Sequence, residues 1–247
     1  SNSDIEVLAY AWKQWRYKIF EKINGMFAFS IFEKKKNKII LARDIPGEKP
    51  LYYIKKEKKF YFSSEAKALK KVVDCKIKKS KIFETFQHCL NETLWQGVYQ
   101  IPPAHYLTID TKTLKFEIKE YWKFKKIKVD LKNPEEHFED LLRKSLKLRL
   151  RSDVKYGLYY SKGMDSTLIS LLHDFKYKFY FNDQKNWSED FKNNFKKISY
   201  HLDFPVGSLS SYPLWKLAKS AKKKVKVVIS GEGADELFGG YVRYLPI

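Results

Sequence analysis

Tyr156-Gly157-Leu158-Tyr159-Tyr160-Ser161-Lys162-Gly163-Met164-Asp165-Ser166 is a run of β-formers that meets a short polar turn. The pattern predicts a strand over Tyr156–Tyr160 and a helix over Ser166–Asp174. Backbone N–H groups at the start of such a helix lack intrahelical acceptors and point outward, which suits phosphate oxygens. Small residues let the backbone approach a ligand, serine hydroxyls add donors, and Asp165 is placed to hold Mg²⁺ against phosphates. The Gly-Lys-Ser/Thr ending of the Gly-rich Walker loop is absent. Taken alone, the stretch also reads as a plain serine–glycine turn capping a helix.

A second strand-to-turn junction lies downstream, at Val227-Val228-Ile229-Ser230-Gly231-Glu232-Gly233-Ala234-Asp235-Glu236-Leu237-Phe238-Gly239-Gly240-Tyr241. Ligands of open α/β sheets sit at the carboxyl ends of strands. Glu232, Asp235 and Glu236 crowd three carboxylates into five residues, which is costly unless a cation or an amine balances them. A solvated acidic helix start explains the acids through the helix dipole but leaves the flanking glycines unexplained.

Between and around these junctions strands alternate with helices. Asn133-Pro134-Glu135-Glu136 opens a helix whose apolar face is Phe138, Leu141, Leu142 and Leu146. Lys178–Phe181 reads as a strand, Tyr212–Lys222 as a helix through Leu214, Leu217, Ala218 and Ala221, and Val225–Ile229 as a buried strand. That alternation predicts a parallel sheet in an α/β domain over 126–247. Residues 1–125 have a different texture, with one early helix over Ile5–Phe20 and then β-hairpins. Met26–Phe32 pairs with Ile39–Ala42, Leu51–Ile54 with Phe60–Phe62, and Tyr106–Ile109 with Leu114–Ile118; Glu65–Lys71 is a short helix. Lys125–Lys132 is a charged linker, so the fold class is α+β followed by α/β.

The chain has 247 residues, 44% of them hydrophobic, which is enough for two cores. No apolar run approaches the roughly 18 residues that span a bilayer, and no signal peptide is read at the start. Cys75 and Cys89 make neither a framework nor a metal pair, and the five histidines lack ligand spacing. A cytoplasmic location is the expectation. The net charge of +20 invites a nucleic-acid or anionic-membrane reading. The lysines are spread along the chain, however, and fall where turns belong, as in Glu33–Lys38 and Lys55–Lys59. Together with abundant Asn, Ile, Phe and Tyr, they read as compositional drift, so nucleic acid is not expected as a partner.

The two junctions together resemble the synthetase domain of glutamine-dependent asparagine synthetases, with its Ser-Gly-Gly-x-Asp-Ser loop and later Ser-Gly-Glu/Asp-Gly-x-Asp-Glu-x-Phe-Gly-Gly-Tyr motif. The first half is similar to the glutaminase domain of the same family, through Ser3-Asp4-Ile5-Glu6-Val7, Asn24-Gly25-Met26-Phe27-Ala28-Phe29 and Ala42-Arg43-Asp44-Ile45-Pro46-Gly47-Glu48-Lys49-Pro50-Leu51-Tyr52-Tyr53. Phe62-Ser63-Ser64-Glu65-Ala66-Lys67-Ala68-Leu69 and Pro102-Pro103-Ala104-His105 continue the likeness. The resemblance implies a partial N-terminal-nucleophile glutaminase sandwich over 1–125, then a partial parallel-sheet PP-loop ATP pyrophosphatase domain over 126–247. It also implies a central fragment, because the family's catalytic cysteine and its partners belong ahead of Ser3-Asp4. Ser1 is not read as a substitute nucleophile.

For the site, the resemblance implies ATP and Mg²⁺ as cofactors, with Tyr159, Ser161, Lys162, Gly163, Asp165, Ser166, Ser230 and Gly231 around the nucleotide and Asp165 on the metal. Glu232 and Asp235 become the catalytic pair at the acceptor, and Asp4 the holder of the glutamine amino group. The implied chemistry is amide formation through an acyl-adenylate, from ATP, aspartate and glutamine-derived ammonia, with a homodimer as an option. A sugar acid as acceptor, closure of a β-lactam ring, and a degenerate basic binding module stay open. Lys162 stands where the family usually has glycine. A negative φ is expected there, which lets its ammonium reach the pyrophosphate.

Overall fold

The computed structural model describes residues 3–79, 91–125, 132–182, 186–204, 206, 208–241 and 244. Ser1, Cys89 and residues 126–131 of the expected linker lie outside the described residues. The chain divides into two compact units, Ser1–Ile127 with Ser199–Gly207, and Lys128–Ile198 with Ser208–Ile247. No helix among the described residues is long and apolar enough to cross a membrane.

In the first unit, α1 (Asp4–Trp15) is capped by Ser3, whose hydroxyl accepts from Ile5 N at 3.3 Å, with Asp4 and Glu6 in its acidic first turn. The helix expected as far as Phe20 breaks at Arg16, which takes φ 53°, and a 3₁₀ turn follows over Arg16–Glu21. The break drives Ile19 and Phe20 into a core with Trp12, and Phe20 stacks on Tyr106 and Tyr121. A continuous helix would keep its 3.6-residue period and could not aim those side chains the same way.

β1 (Ala28–Glu33), β2 (Lys38–Arg43), β6 (His105–Asp110) and β7 (Phe116–Glu120) form an antiparallel sheet in the order β1-β2-β6-β7. β3 (Tyr52–Lys56), β4 (Lys59–Ser63) and the two-residue β5 (Tyr99–Gln100) form a second antiparallel sheet, β4-β3-β5. The three expected hairpins are present; β5 is too short to carry a sequence signal. Alternation sorts the faces. Ile40 and Ala42 pack against α1, while Leu41 between them packs with Tyr53, Leu107 and Ile109 in the core shared by the two sheets. Ile54, next to Tyr53, faces Ala66 and Leu69 of α2 (Ala66–Val72). The layers therefore run helix, sheet, sheet, helix.

The second unit is built on a parallel sheet in the order β10-β8-β9, from β8 (Tyr156–Tyr159), β9 (Lys178–Phe179) and β10 (Val227–Ile229). The helices are α3 (Pro134–Arg149), α4 (Met164–Leu172), α5 (Trp187–Leu202, which belongs to this unit as far as Ile198), α6 (Ser211–Ala221) and the short α7 (Ala234–Phe238). One core gathers Leu146, Leu158 and Phe175, and a second Phe179, Ala221 and Val225. Of the apolar face expected on α3, only Leu146 is buried; Phe138 and Leu141 stay exposed, and Phe138 meets the Phe238 ring edge-on. α5 is a helix the sequence reading passed over, although Trp187, Phe191, Phe195, Ile198 and Leu202 recur at helical spacing.

Candidate active site

β8 is the centre of the parallel sheet. From it the chain runs through α4 to β9 on one side, then returns through α5 and α6 to β10 on the other. The strand order thus reverses at β8, and such a switch leaves a crevice at the carboxyl ends of the two strands that flank it. β8 and β10 are in register there, Leu158 opposite Ile229, so the two polar junctions leave the same sheet edge at one level.

The first junction closes on itself. The Ser166 hydroxyl is buried; it accepts from Ser161 N at 3.2 Å, shares a hydrogen with Ser161 Oγ at 3.0 Å and donates to Gly163 O at 3.2 Å. Ser161 Oγ also accepts from Gly163 N at 3.2 Å. The hydroxyls expected to bind phosphate are spent on shaping the loop. What the loop presents is backbone: the first intrahelical donor of α4 is Thr167 N, to Gly163 O at 3.0 Å, so the N–H groups of Met164, Asp165 and Ser166 lie ahead of it.

Lys162 overturns its expectation. It takes φ 65°, in the left-handed region, and its side chain is exposed outside the cleft. The chain must reverse within a few residues between Tyr159 and Met164. Gly163, which could have turned left-handed without strain, is extended instead at φ −73°, ψ 168° as the helix cap. The left-handed step therefore falls on lysine, at a cost of roughly 1–2 kcal/mol.

The second junction packs directly on the first. A Cβ built on Gly231 would lie 2.8 Å from Asp165 Cβ and 3.4 Å from Ser166 N. Gly233 follows as the left-handed cap of α7, at φ 95°. Gly240 backs onto Asp235: its N–H donates to Asp235 O at 3.1 Å, and a side chain there would collide with the Asp235 carboxylate. Tyr241 donates its hydroxyl to Glu236 Oε1 at 2.6 Å. Of the glycines unexplained by an acidic helix start, Gly231 and Gly240 are positions of close approach, and Gly233 and Gly239 take the left-handed φ at either end of α7.

Around this junction lies a cleft of about 240 Å³. Tyr159, Ser161, Asp165 and Ser166 line it from one junction, and Ser230, Gly231, Glu232 and Asp235 from the other. Lys162 and Gly163 stand outside the lining, and Asp4 lies exposed in the first turn of α1, in the other unit. The sequence reading did not assign Tyr160, Glu236 or Tyr241 to the site, nor the apolar wall of Leu214 and Leu217 on α6. Leu214 and Leu217 announce only an amphipathic helix in sequence; folding turns that face to the cleft. Burial raises the pKa of Tyr159, so its phenol stays protonated through the neutral range.

The sequence profile of the glutamine amidotransferase domain matches residues 1–122, and that of asparagine synthase matches residues 137–178 and 183–247. Asparagine synthetase [glutamine-hydrolyzing] 1 of Bacillus subtilis is 32% identical, over 99% of this chain and 44% of its own length. Asparagine synthetase [glutamine-hydrolyzing] 3 of the same organism is 29% identical, over 97% of this chain and 47% of its own length. A relative from Methanocaldococcus jannaschii is 30% identical over 99% of this chain and 55% of its own. The chain spans about half the length of the curated relatives it matches. With both profiles in the family's order, and relatives aligned across nearly all of it, the chain belongs to the glutamine-hydrolysing asparagine synthetase family.

Proposed function

We propose that the protein forms an amide from a carboxylate and ammonia at the expense of ATP, with aspartate as the acceptor. The observation that carries this reading is the contact of Gly231 with Asp165 and Ser166 at the switch point of the parallel sheet. It fixes a helix start that suits phosphates beside a carboxylate-bearing turn that suits an amine. Three of the four carboxylates around the cleft, Glu232, Asp235 and Glu236, belong to the second junction, and Asp165 stands alone at the first.

On this reading the N–H groups at the start of α4 hold the pyrophosphate, and Ser230 and Gly231 border the nucleoside. An acceptor carboxylate oxygen attacks the α-phosphorus, the bond to the β-phosphate oxygen breaks, and pyrophosphate leaves. Ammonia then attacks the acyl carbon, the bond to AMP breaks, and the nitrogen gives up a proton. One of Glu232 and Asp235 binds the acceptor ammonium and the other receives that proton. Mg²⁺ accompanying ATP neutralises phosphate charge, and it typically needs one or two protein carboxylates besides the phosphates. Asp165 fits that need, and among the described residues no cluster of three His, Cys, Asp or Glu competes for the ion. In the first unit, Asp4 is assigned to the amino group of glutamine, the source of the ammonia. A cytoplasmic setting, where ATP and aspartate are at hand, goes with this reading.

The test is ammonia-dependent amide formation, with release of AMP and pyrophosphate, across a panel of carboxylates. Glu232→Gln and Asp235→Asn keep shape and most hydrogen bonds. Each is expected to lower turnover by orders of magnitude while the melting temperature holds. If the two acids only cap α7, turnover stays near normal, and the assignment fails. A sugar acid used in preference to aspartate would replace the acceptor and keep the chemistry.

A further inference from the structure

Lysine-rich turns that are far apart in sequence meet at one end of the first unit. Lys34–Lys36 form the β1–β2 turn; Lys55, Lys56, Lys58 and Lys59 surround the β3–β4 turn; Lys112 and Lys115 belong to the β6–β7 turn. Thr111 ties the third turn to the first: its N–H donates to Asn37 O at 2.8 Å and its hydroxyl to the same oxygen at 3.1 Å. The Phe60 and Phe116 rings, adjacent to Lys59 and Lys115, lie 5.5 Å apart and tie the second turn to the third. All nine lysines are exposed, and among the described residues none is ion-paired.

Little acid offsets them. Asp110 turns Oδ1 onto the N–H groups of Lys112 and Thr113, at 3.0 and 2.8 Å, and Glu33 is held by Trp12 and Arg16. Within the three turns Glu57 is the exposed acid; Lys56 Nζ donates to Asp74 O at 3.2 Å, and Glu117, beside Phe116, pairs with Lys119. The same end carries two part-exposed aromatic rings, Phe32 on edge strand β1 and Phe116 on edge strand β7, which are 60% and 40% exposed; Phe116 also packs edge-on against Tyr53 and Phe60.

We propose that this end of the first unit binds single-stranded nucleic acid through its phosphates, without sequence preference. Lysines are point charges without the fork that reads base edges, so they favour phosphate over sequence. Basic turns flanked by aromatic rings are the combination that binds single strands, and the rings stand beside the turns, Phe32 on one edge of the sheet and Phe116 on the other. A flexible strand draped over the turns can stack its bases on them. The charge that reads as dispersed in the sequence is gathered by the hairpin topology onto one face.

The test measures fluorescence anisotropy of a labelled oligouridylate against salt. Lys34→Gln, Lys35→Gln and Lys36→Gln combined should cut affinity about tenfold or more and flatten the log–log salt slope by about 2, at roughly 0.7 per phosphate contact. Lys222→Gln, Lys223→Gln and Lys224→Gln combined remove the same charge from another exposed site and should stay within about twofold of wild type. Phe32→Ser should weaken binding severalfold with the slope unchanged. Equal loss in both triple variants would assign binding to net charge and overturn the proposal, as would absence of binding at physiological salt. Capture by phosphatidylserine vesicles that oligouridylate does not compete away would assign the surface to lipid and overturn it too.

Discussion

Gly231 sets the spacing between the two junctions, because a methyl group there would sit 2.8 Å from Asp165 Cβ, inside any tolerated carbon–carbon contact. Both partners are main chain or adjoin it, so the strain cannot be relieved by a rotamer change. Gly231→Ala is therefore expected to push the junctions apart and lower ATP affinity at least about tenfold, equivalent to 1.4 kcal/mol. Calorimetric titration checks the affinity and circular dichroism the fold; unchanged affinity would remove the junction from the nucleotide site. Lys162 makes the opposite case. Its left-handed φ of 65° is a strained choice, and its side chain does not enter the cleft. Lys162→Gly is expected to stabilise the fold by about 1 kcal/mol and raise Tm by a few degrees, with turnover retained. A lower Tm would show that the lysine makes a contact worth more than the strain.

Among the helices, α5 and α6 are joined through one carboxylate. Asp190 on α5 accepts from the Tyr212 hydroxyl and from Lys216 Nζ at 3.0 Å, both on α6, whose Leu214 and Leu217 line the cleft. The hydrogen bond from Tyr212, then that from Lys216, hold Asp190 below the ordinary carboxylate range, and burial pushes the Tyr212 phenol up. A folded pKa below the unfolded value means stability that is fully present above about 3.9, the ordinary aspartate value, and lost as pH falls through the folded value. Asp190→Asn should thus melt below wild type at neutral pH, with the gap closing as the buffer is acidified through the carboxylate range. A gap that persists at the acid end would mean that shape, and not charge, links the helices. α5 itself was legible in the spacing of Trp187, Phe191, Phe195, Ile198 and Leu202. Its tie to α6 was not, because nothing in the sequence pairs position 190 with 212 and 216.

For the molecule as a whole, charge acts at two ranges. Four carboxylates around the cleft repel an anionic nucleotide at contact distance, whereas the net charge of +20 attracts it from afar. The far field is screened over about 10 Å at 0.1 M salt, and the contacts in the cleft much less. The association rate of ATP should therefore fall severalfold as salt rises through the physiological range, with the dissociation rate nearly constant. Stopped-flow mixing resolves the two; a salt effect confined to dissociation would deny long-range steering.

The sequence by itself determined the local chemistry and the order of the parts. β-formers running into serine, glycine and acid define both junctions, and hydrophobic alternation defines three hairpins, because those signals depend only on side-chain type and backbone period. Tertiary structure decided what each group faces. It spent the Ser161 and Ser166 hydroxyls on each other, gave Lys162 the left-handed step, broke the first helix at Arg16 and turned Leu214 and Leu217 to the cleft. It also brought Gly231 against Asp165, and three distant lysine turns to one end of the double sheet. Contacts between residues far apart in the chain are fixed by strand order and register, and no local window of sequence contains either.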